Sequence, residues 1–207
     1  MDGVIVHSTP LHNRAWEIYL GRHGIAPGEI ESRMHGLRND EIVRDYFGDG
    51  LDGAAVFQHG ADKERLYREL MRPELEQWLV PGVREFLDAV PGVPKAVASN
   101  AERPNIDFVL DQAGLRQHFR FVVDGHQAAR PKPFPDIYLA AAAMLGVDPV
   151  NCIVFEDSLA GVQAAKEAGA RVVGLTTTLP ELPRVQLAVK DFRDPDLPGW
   201  LATQRVQ

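Results

Sequence analysis

The spacing of apolar positions along the chain changes once, near Pro81-Gly82. Between about Leu11 and Leu79, apolar residues recur every three or four positions through LHNRAWEIYLGRHG, ESRMHG, NDEIVRDYFG and ADKERLYRELMRPELEQWL. This predicts a small helical bundle, broken at Gly24, Gly36 and the Gly48-Asp49-Gly50 turn. Beyond Pro81-Gly82, short apolar runs (PKAVAS, FRFVVDG, CIVFED, ARVVGL) alternate with the helical patterns VREFLDAV, RPNIDFVLDQAGL, FPDIYLAAAAMLG and SLAGVQAAKEAG. Continuous apolar strands separated by helices imply a parallel sheet covered on both faces. The expected fold is therefore α/β: a doubly wound, Rossmann-like core over 1–10 and 80–207, with a helical cap inserted over 11–79. In such a sheet the ligand site lies at the carboxyl ends of the strands.

Composition narrows the function classes. A chain of 207 residues can form one core, or one core plus a smaller lobe, and 45% apolar with 25% charged residues is ordinary for a globular protein. A net charge of −7 argues against general attraction to nucleic acid or anionic membrane, so an anionic substrate requires a local cation. The single cysteine, Cys152, excludes an intrachain disulfide, suits a reducing compartment and reads as buried packing. No run approaches the ~20 apolar residues of a membrane span, and MDGVIVHS has no signal-peptide character. The expectation is a cytoplasmic monomer.

Polar residues gather at the ends of three segments. AVASN ends in Ser99 and Asn100 just before a helical pattern, where a hydroxyl and free backbone N–H groups could hold an anion or simply cap the helix. CIVFED ends in Glu156 and Asp157, two acids that need a compensating cation; hard oxygens suit Mg²⁺, although Asp157 could equally cap the next helix. Lys132 stands between Pro131 and Pro133, which restrict its backbone, so it is either a positioned cation or a surface lysine.

Taken in order, DGVIVHS, AVASN, RPKPFPD and VFEDSLAGVQAAKEAGA resemble the haloacid dehalogenase superfamily, in particular its β-phosphoglucomutase-like phosphatases. The resemblance covers almost the whole chain and implies Mg²⁺-dependent hydrolysis of a small phosphorylated metabolite, a sugar or polyol phosphate, through an aspartyl phosphate. In that family a D-x-D pair does the chemistry, and Asp2 matches its second member, the acid and base, whose carbonyl also touches Mg²⁺. The resemblance implies that Ser99, Asn100 and Lys132 hold the phosphoryl group and that Asp157, with Glu156 beside it, binds the metal. On the cap, His12, Trp16, His35, Gly36, Arg38 and Asn39 match substrate-facing positions, with packing an equal alternative for His12 and Trp16.

Two departures qualify this. Mutase members grip a second phosphate with an arginine near the end of the MHGLRN loop; Asn39 stands there, with Arg38 adjacent, which favours a phosphatase over a β-phosphoglucomutase-type isomerase. The family's nucleophile would stand one residue before Met1, and Asp194-Pro195-Asp196 is no substitute, being followed by Leu-Pro; His7 also replaces a usual acid or amide. The strand leading into that nucleophile is the central one of the family's sheet, so the first core strand reads as truncated. Its five or so apolar residues would contribute on the order of 10 kcal/mol, comparable with a domain's whole net stability of about 5–15 kcal/mol. The expectation is a reading frame that begins further upstream, and poor folding and little activity for these 207 residues alone. The competing expectation is a phosphate- or metal-binding relic without turnover; dehalogenation, which needs no metal, fits the acid pair less well.

Overall fold

The computed structural model describes residues 1–30 and 39–204. It divides into two compact units, one of Met1–His7 with Leu75–Gln207 and one of Ser8–Glu74. The joins therefore fall at 7/8 and 74/75, where the sequence pattern suggested 10/11 and 79/80.

The second unit is helical. Helix α1 (Thr9–Arg22) carries Pro10 in its first turn and buries Leu11, Ala15, Trp16, Tyr19 and Leu20 along one stripe. Helix α2 (Asn39–Phe47) ends at Gly48, which takes the left-handed conformation that stops a helix without a Cβ penalty. Helix α3 (Gly53–Met71) is N-capped by Asp52, whose side chain accepts from the Ala55 N–H at 2.8 Å, and it packs along α1. Gly36, the remaining predicted break, lies outside the described residues.

The first unit is α/β. After α4 (Leu75–Trp78) and α5 (Val83–Ala89), strands and helices alternate: β1 (Ala96–Ala98), α6 (Arg103–Gln112), β2 (Phe121–Val123), α7 (Asp136–Leu145), β3 (Ile153–Glu156), α8 (Leu159–Glu167) and β4 (Arg171–Leu175). Strand β5 (Leu187–Val189) and helix α9 (Asp196–Thr203) close the unit. Each strand pair is parallel, as its apolar runs require. The sheet is in two pieces, β1-β2 and β3-β4-β5; among the described residues no strand joins β1 to β3. Between these pieces runs an apolar cleft of about 530 Å³, lined by all of β1 and by Ile153, Val154 and Phe155 of β3.

Apolar side chains pack in two clusters. One joins Ile137, Tyr138 and Ala141 of α7 to Val162 and Ala165 of α8. The other joins Val173, Leu175 and Val189 of the sheet to Leu197, with the rings of Phe86, Phe155 and Phe192 clustered beside them. Among the described residues no helix is long and apolar enough to cross a membrane.

Candidate phosphoryl-transfer site

In the α/β unit, the carboxyl end of β3 delivers Glu156 and Asp157 in succession, and the loop before α7 delivers Lys132. Glu156 is the hub. One of its oxygens accepts from the Lys132 ammonium and from the Tyr138 hydroxyl; the other accepts from the Asp157 N–H at 3.0 Å, the Ser158 N–H at 3.2 Å and the Ser158 hydroxyl at 3.0 Å. Burial alone would raise its pKa, but Lys132, then the bonds from Lys132 and Tyr138, hold it down to about 2. With five donors on its two oxygens, Glu156 anchors the cluster and aims Lys132.

Asp157 is different. It is half-buried, and burial together with Glu156 raises its pKa to about 6, against the effect of a hydrogen bond donated by the Thr178 hydroxyl. Asp2 lies near enough to raise it further. Asp2 stands in the tight turn of residues 1–6, where the Gly3 N–H donates to the Val6 carbonyl at 2.8 Å. Gly3 itself has φ +64, and a Cβ there would lie 1.9 Å from an Asp157 oxygen, so only glycine lets this turn lie against the carboxylate.

Among the described residues no three His, Cys, Asp or Glu side chains form a ready-made metal cage. That donor set still fits Mg²⁺, which takes one or two carboxylates and completes its octahedron with water and substrate phosphate. Asp157 is a half-buried carboxylate at this end, and the bare Gly3 backbone gives it the room.

Ser99 and Asn100 follow β1, but not at a helix N-terminus. Helix α6 starts at Arg103, with Glu102 as its cap, so neither the capping reading nor the helix-dipole reading of these residues holds. Ser99 is buried at 4% exposure; its N–H extends the ladder to the Val123 carbonyl at 3.1 Å, and its hydroxyl accepts from the Ala101 N–H at 3.2 Å. Asn100 is exposed in the turn. At the end of the neighbouring strand, Asp124 is buried and binds the His126 N–H of its own loop at 3.0 Å.

Sequence reading missed two parts of this cluster. Tyr138 read as one more apolar position of α7, yet burial and Glu156 push its hydroxyl well above the usual range, so it remains a donor. Gly161, in the first turn of α8, presses on Glu156: a Cβ there would come 2.0 Å from the carboxyl carbon. Gly161→Ala would ordinarily favour a helix by about 1 kcal/mol. Here the pinned carboxylate cannot yield, so the variant is expected to be about 1–3 kcal/mol less stable in urea unfolding. A neutral or stabilising result would show that Glu156 is free to move.

The helical unit gathers its own charged group. His12, Trp16 and Asn39, all expected to face substrate, surround Lys63 and Glu64. Lys63 is 1% exposed; its ammonium donates to Glu64 at 2.5 Å, lies 3.3 Å from His12 Nδ1 and sits 4.9 Å over the Trp16 ring. Asn39 donates to the same Glu64 oxygen at 2.7 Å, and His12 stacks on Tyr67 with ring centroids 3.8 Å apart. Burial would raise the Glu64 pKa, but Lys63, then His12 and the two side-chain bonds, hold it at about 2. Trp16 is 1% exposed and packs, whereas His12 keeps part of its ring open. His35, Gly36 and Arg38 lie outside the described residues.

This fold, with an acid-lysine cluster at its strand ends, has clear counterparts. A model of haloacid dehalogenase-like hydrolases matches residues 1–169. The chain belongs to that family. It is 31% identical to hexitol phosphatase A of Escherichia coli over 194 residues, covering 91% of this chain and 87% of that protein. It is 29% identical to the β-phosphoglucomutase of Bacillus subtilis over 190 residues, covering 88% and 83% respectively. The crystal structure of a family IA, variant 3 hydrolase from Entamoeba histolytica matches with a TM-score of 0.83 at 25% identity, over 93% of this chain and 91% of that one.

Proposed function

We propose that this chain forms the body of a Mg²⁺-dependent phosphatase acting on a small phosphorylated metabolite, a sugar or polyol phosphate, through an aspartyl phosphate. The nucleophile in this reading is the first aspartate of the family's D-x-D pair, whose second member is Asp2. The observation that carries it is the convergence of Lys132, Glu156 and Asp157 beside the Asp2 turn. Bound Mg²⁺ would supply charge neutralisation for the phosphoryl oxygens, held by Asp157 and the Asp2 carbonyl. The rest falls to side chains of this chain. Lys132, aimed by Glu156, offsets phosphate charge; the Ser99 hydroxyl and the Asn100 amide orient the group. Asp2 protonates the leaving oxygen and then takes a proton from the attacking water.

The helical unit would read the leaving group. A hydrolase fits better than a mutase because the mutase arginine position is Asn39, whose amide is committed to Glu64, and because Lys63 is already neutralised by that carboxylate. A mutase must grip a second phosphate, whereas a phosphatase needs only hydroxyl recognition at this end.

The test is a form of the protein extended through the gene's own upstream reading frame to the nearest aspartate. It is expected to release phosphate from hexitol and hexose monophosphates only with Mg²⁺, and to lose that activity when the added aspartate becomes asparagine. A folded extended protein that is inactive across a broad phosphate panel would sink the reading.

A further inference from the structure

Asn100 stands in a turn that its own helix does not place, since α6 begins only at Arg103. The residues that lie against it come from the turn after β2. Strands β1 and β2 pair in register through Ala98 and Val123, so the turns that follow them, 99–102 and 124–127, leave the sheet side by side. The Gly125 N–H reaches the Ala101 carbonyl at a long 3.5 Å, and a Cβ on Gly125 would lie 2.6 Å from the Asn100 carbonyl oxygen and 3.2 Å from its Cα. Only glycine lets the two backbones come so close.

The second turn holds its own shape. Its buried Asp124 accepts from the His126 N–H at 3.0 Å; the Asp124 N–H donates to the Gln127 side chain at 2.9 Å, and the Gln127 N–H returns to the Asp124 carbonyl at 3.1 Å. The first turn is tied to it by one side-chain bond, in which His126 Nε2 donates to Glu102 at 2.8 Å. Glu102 occupies the N-cap of α6, yet its carboxylate makes no capping bond and goes to the histidine instead. A pair this exposed adds little to overall stability. What it fixes is the lateral position of the turn that carries Asn100.

We infer that the 124–127 turn is a positioning platform for Asn100: Gly125 sets how deep the Asn100 peptide lies, and the Glu102–His126 bond holds the turn against it. Gly125 and His126 therefore act on a bound phosphoryl group through Asn100, as positioning residues and not as contacts. A purely structural link between two loops would show the same bonds but no selective effect on phosphate. This role rests on the phosphatase reading above, in which the Asn100 amide orients the phosphoryl group.

The experiment measures inorganic phosphate affinity by calorimetry with Mg²⁺ present, Mg²⁺ affinity without phosphate, and urea unfolding, all on the extended form of the protein. Gly125→Ala, which drives a methyl group into the Asn100 peptide, is expected to weaken phosphate binding at least about tenfold, the worth of one hydrogen bond to a charged group. His126→Ala removes a largely exposed side chain. It should weaken phosphate binding about two- to fivefold with unchanged urea unfolding. Glu102→Gln keeps an acceptor for His126 and should bind phosphate as the original does. Mg²⁺ affinity should not change in any of the three. In an Asn100→Ala background, neither Gly125→Ala nor His126→Ala should weaken phosphate binding further, because the group they place is gone. If Gly125→Ala unfolds, His126→Ala with and without Asn100→Ala decides the matter. Undiminished losses in that background, or phosphate affinity unchanged by the single variants, would overturn the inference and leave the phosphatase reading standing. An equal loss of Mg²⁺ affinity would show a structural link only and overturn it too. An extended protein with no substitution that binds no phosphate would overturn that reading and this role with it.

Discussion

Replacing Lys132 by methionine is expected to lower stability by about 3–5 kcal/mol, the loss typical when one partner of a buried ion pair is removed. Its partner, Glu156, is 4% exposed and carries a full charge because the ammonium holds its pKa at about 2. Without Lys132 the donors left are the Tyr138 and Ser158 hydroxyls and two backbone N–H groups, which solvate the charge but do not neutralise it. Adding Glu156→Gln to the same protein should recover much of the loss, because the unpaired charge then disappears. Urea unfolding of the two single variants and the double gives the coupling directly. A methionine variant as stable as the original would mean that Glu156 is reached by water and that Lys132 is held by something else.

The second large effect belongs to the helical unit. Glu64→Gln should also cost about 3–5 kcal/mol, since it strands the ammonium of Lys63 under the Trp16 ring with a neutral amide for company. Changing Lys63→Met and Glu64→Leu together should be close to neutral. The pH dependence carries a sign. Glu64 has its pKa lowered from 4.5 to about 2 on folding, so its contribution is fully present above about pH 4.5 and fades as pH falls toward 2. At roughly 1.4 kcal/mol per unit, that contribution is on the order of 3 kcal/mol. The Glu64→Gln variant should therefore lose less stability than the original protein between pH 4.5 and 2. Parallel acid limbs for the two proteins would show that Glu64 does not sense the folded environment.

Legibility in the sequence was uneven, for identifiable reasons. Strands β1 to β4 stand out because each is an unbroken apolar run with helical sequence on both sides, and Glu156, Asp157 and Ser99 were found because they end such runs. Strand β5 and helix α9 were not found: β5 spans only Leu187–Val189, and α9 carries Pro195 at its cap and Pro198 inside. The Lys63–Glu64 pair was hidden for a geometric reason. Neighbouring residues on a helix do not face each other, and these two meet in a group that also takes in His12, from α1, and Asn39, from α2. The five donors on Glu156 were equally out of reach, because one of them, Tyr138, comes from a helix whose sequence reads as uniformly apolar.

The glycines at 3 and 161 have an evolutionary corollary. Each leaves no space for even one additional carbon beside Asp157 or Glu156, so the acid end of the molecule can scarcely drift by single substitutions. The charged group on the helical unit is closed by lysine, glutamate and asparagine, long or rotatable side chains that can be re-aimed without breaking a strand. Change in descendants of this chain should therefore collect at Lys63, Glu64 and Asn39, while Gly3 and Gly161 stay fixed.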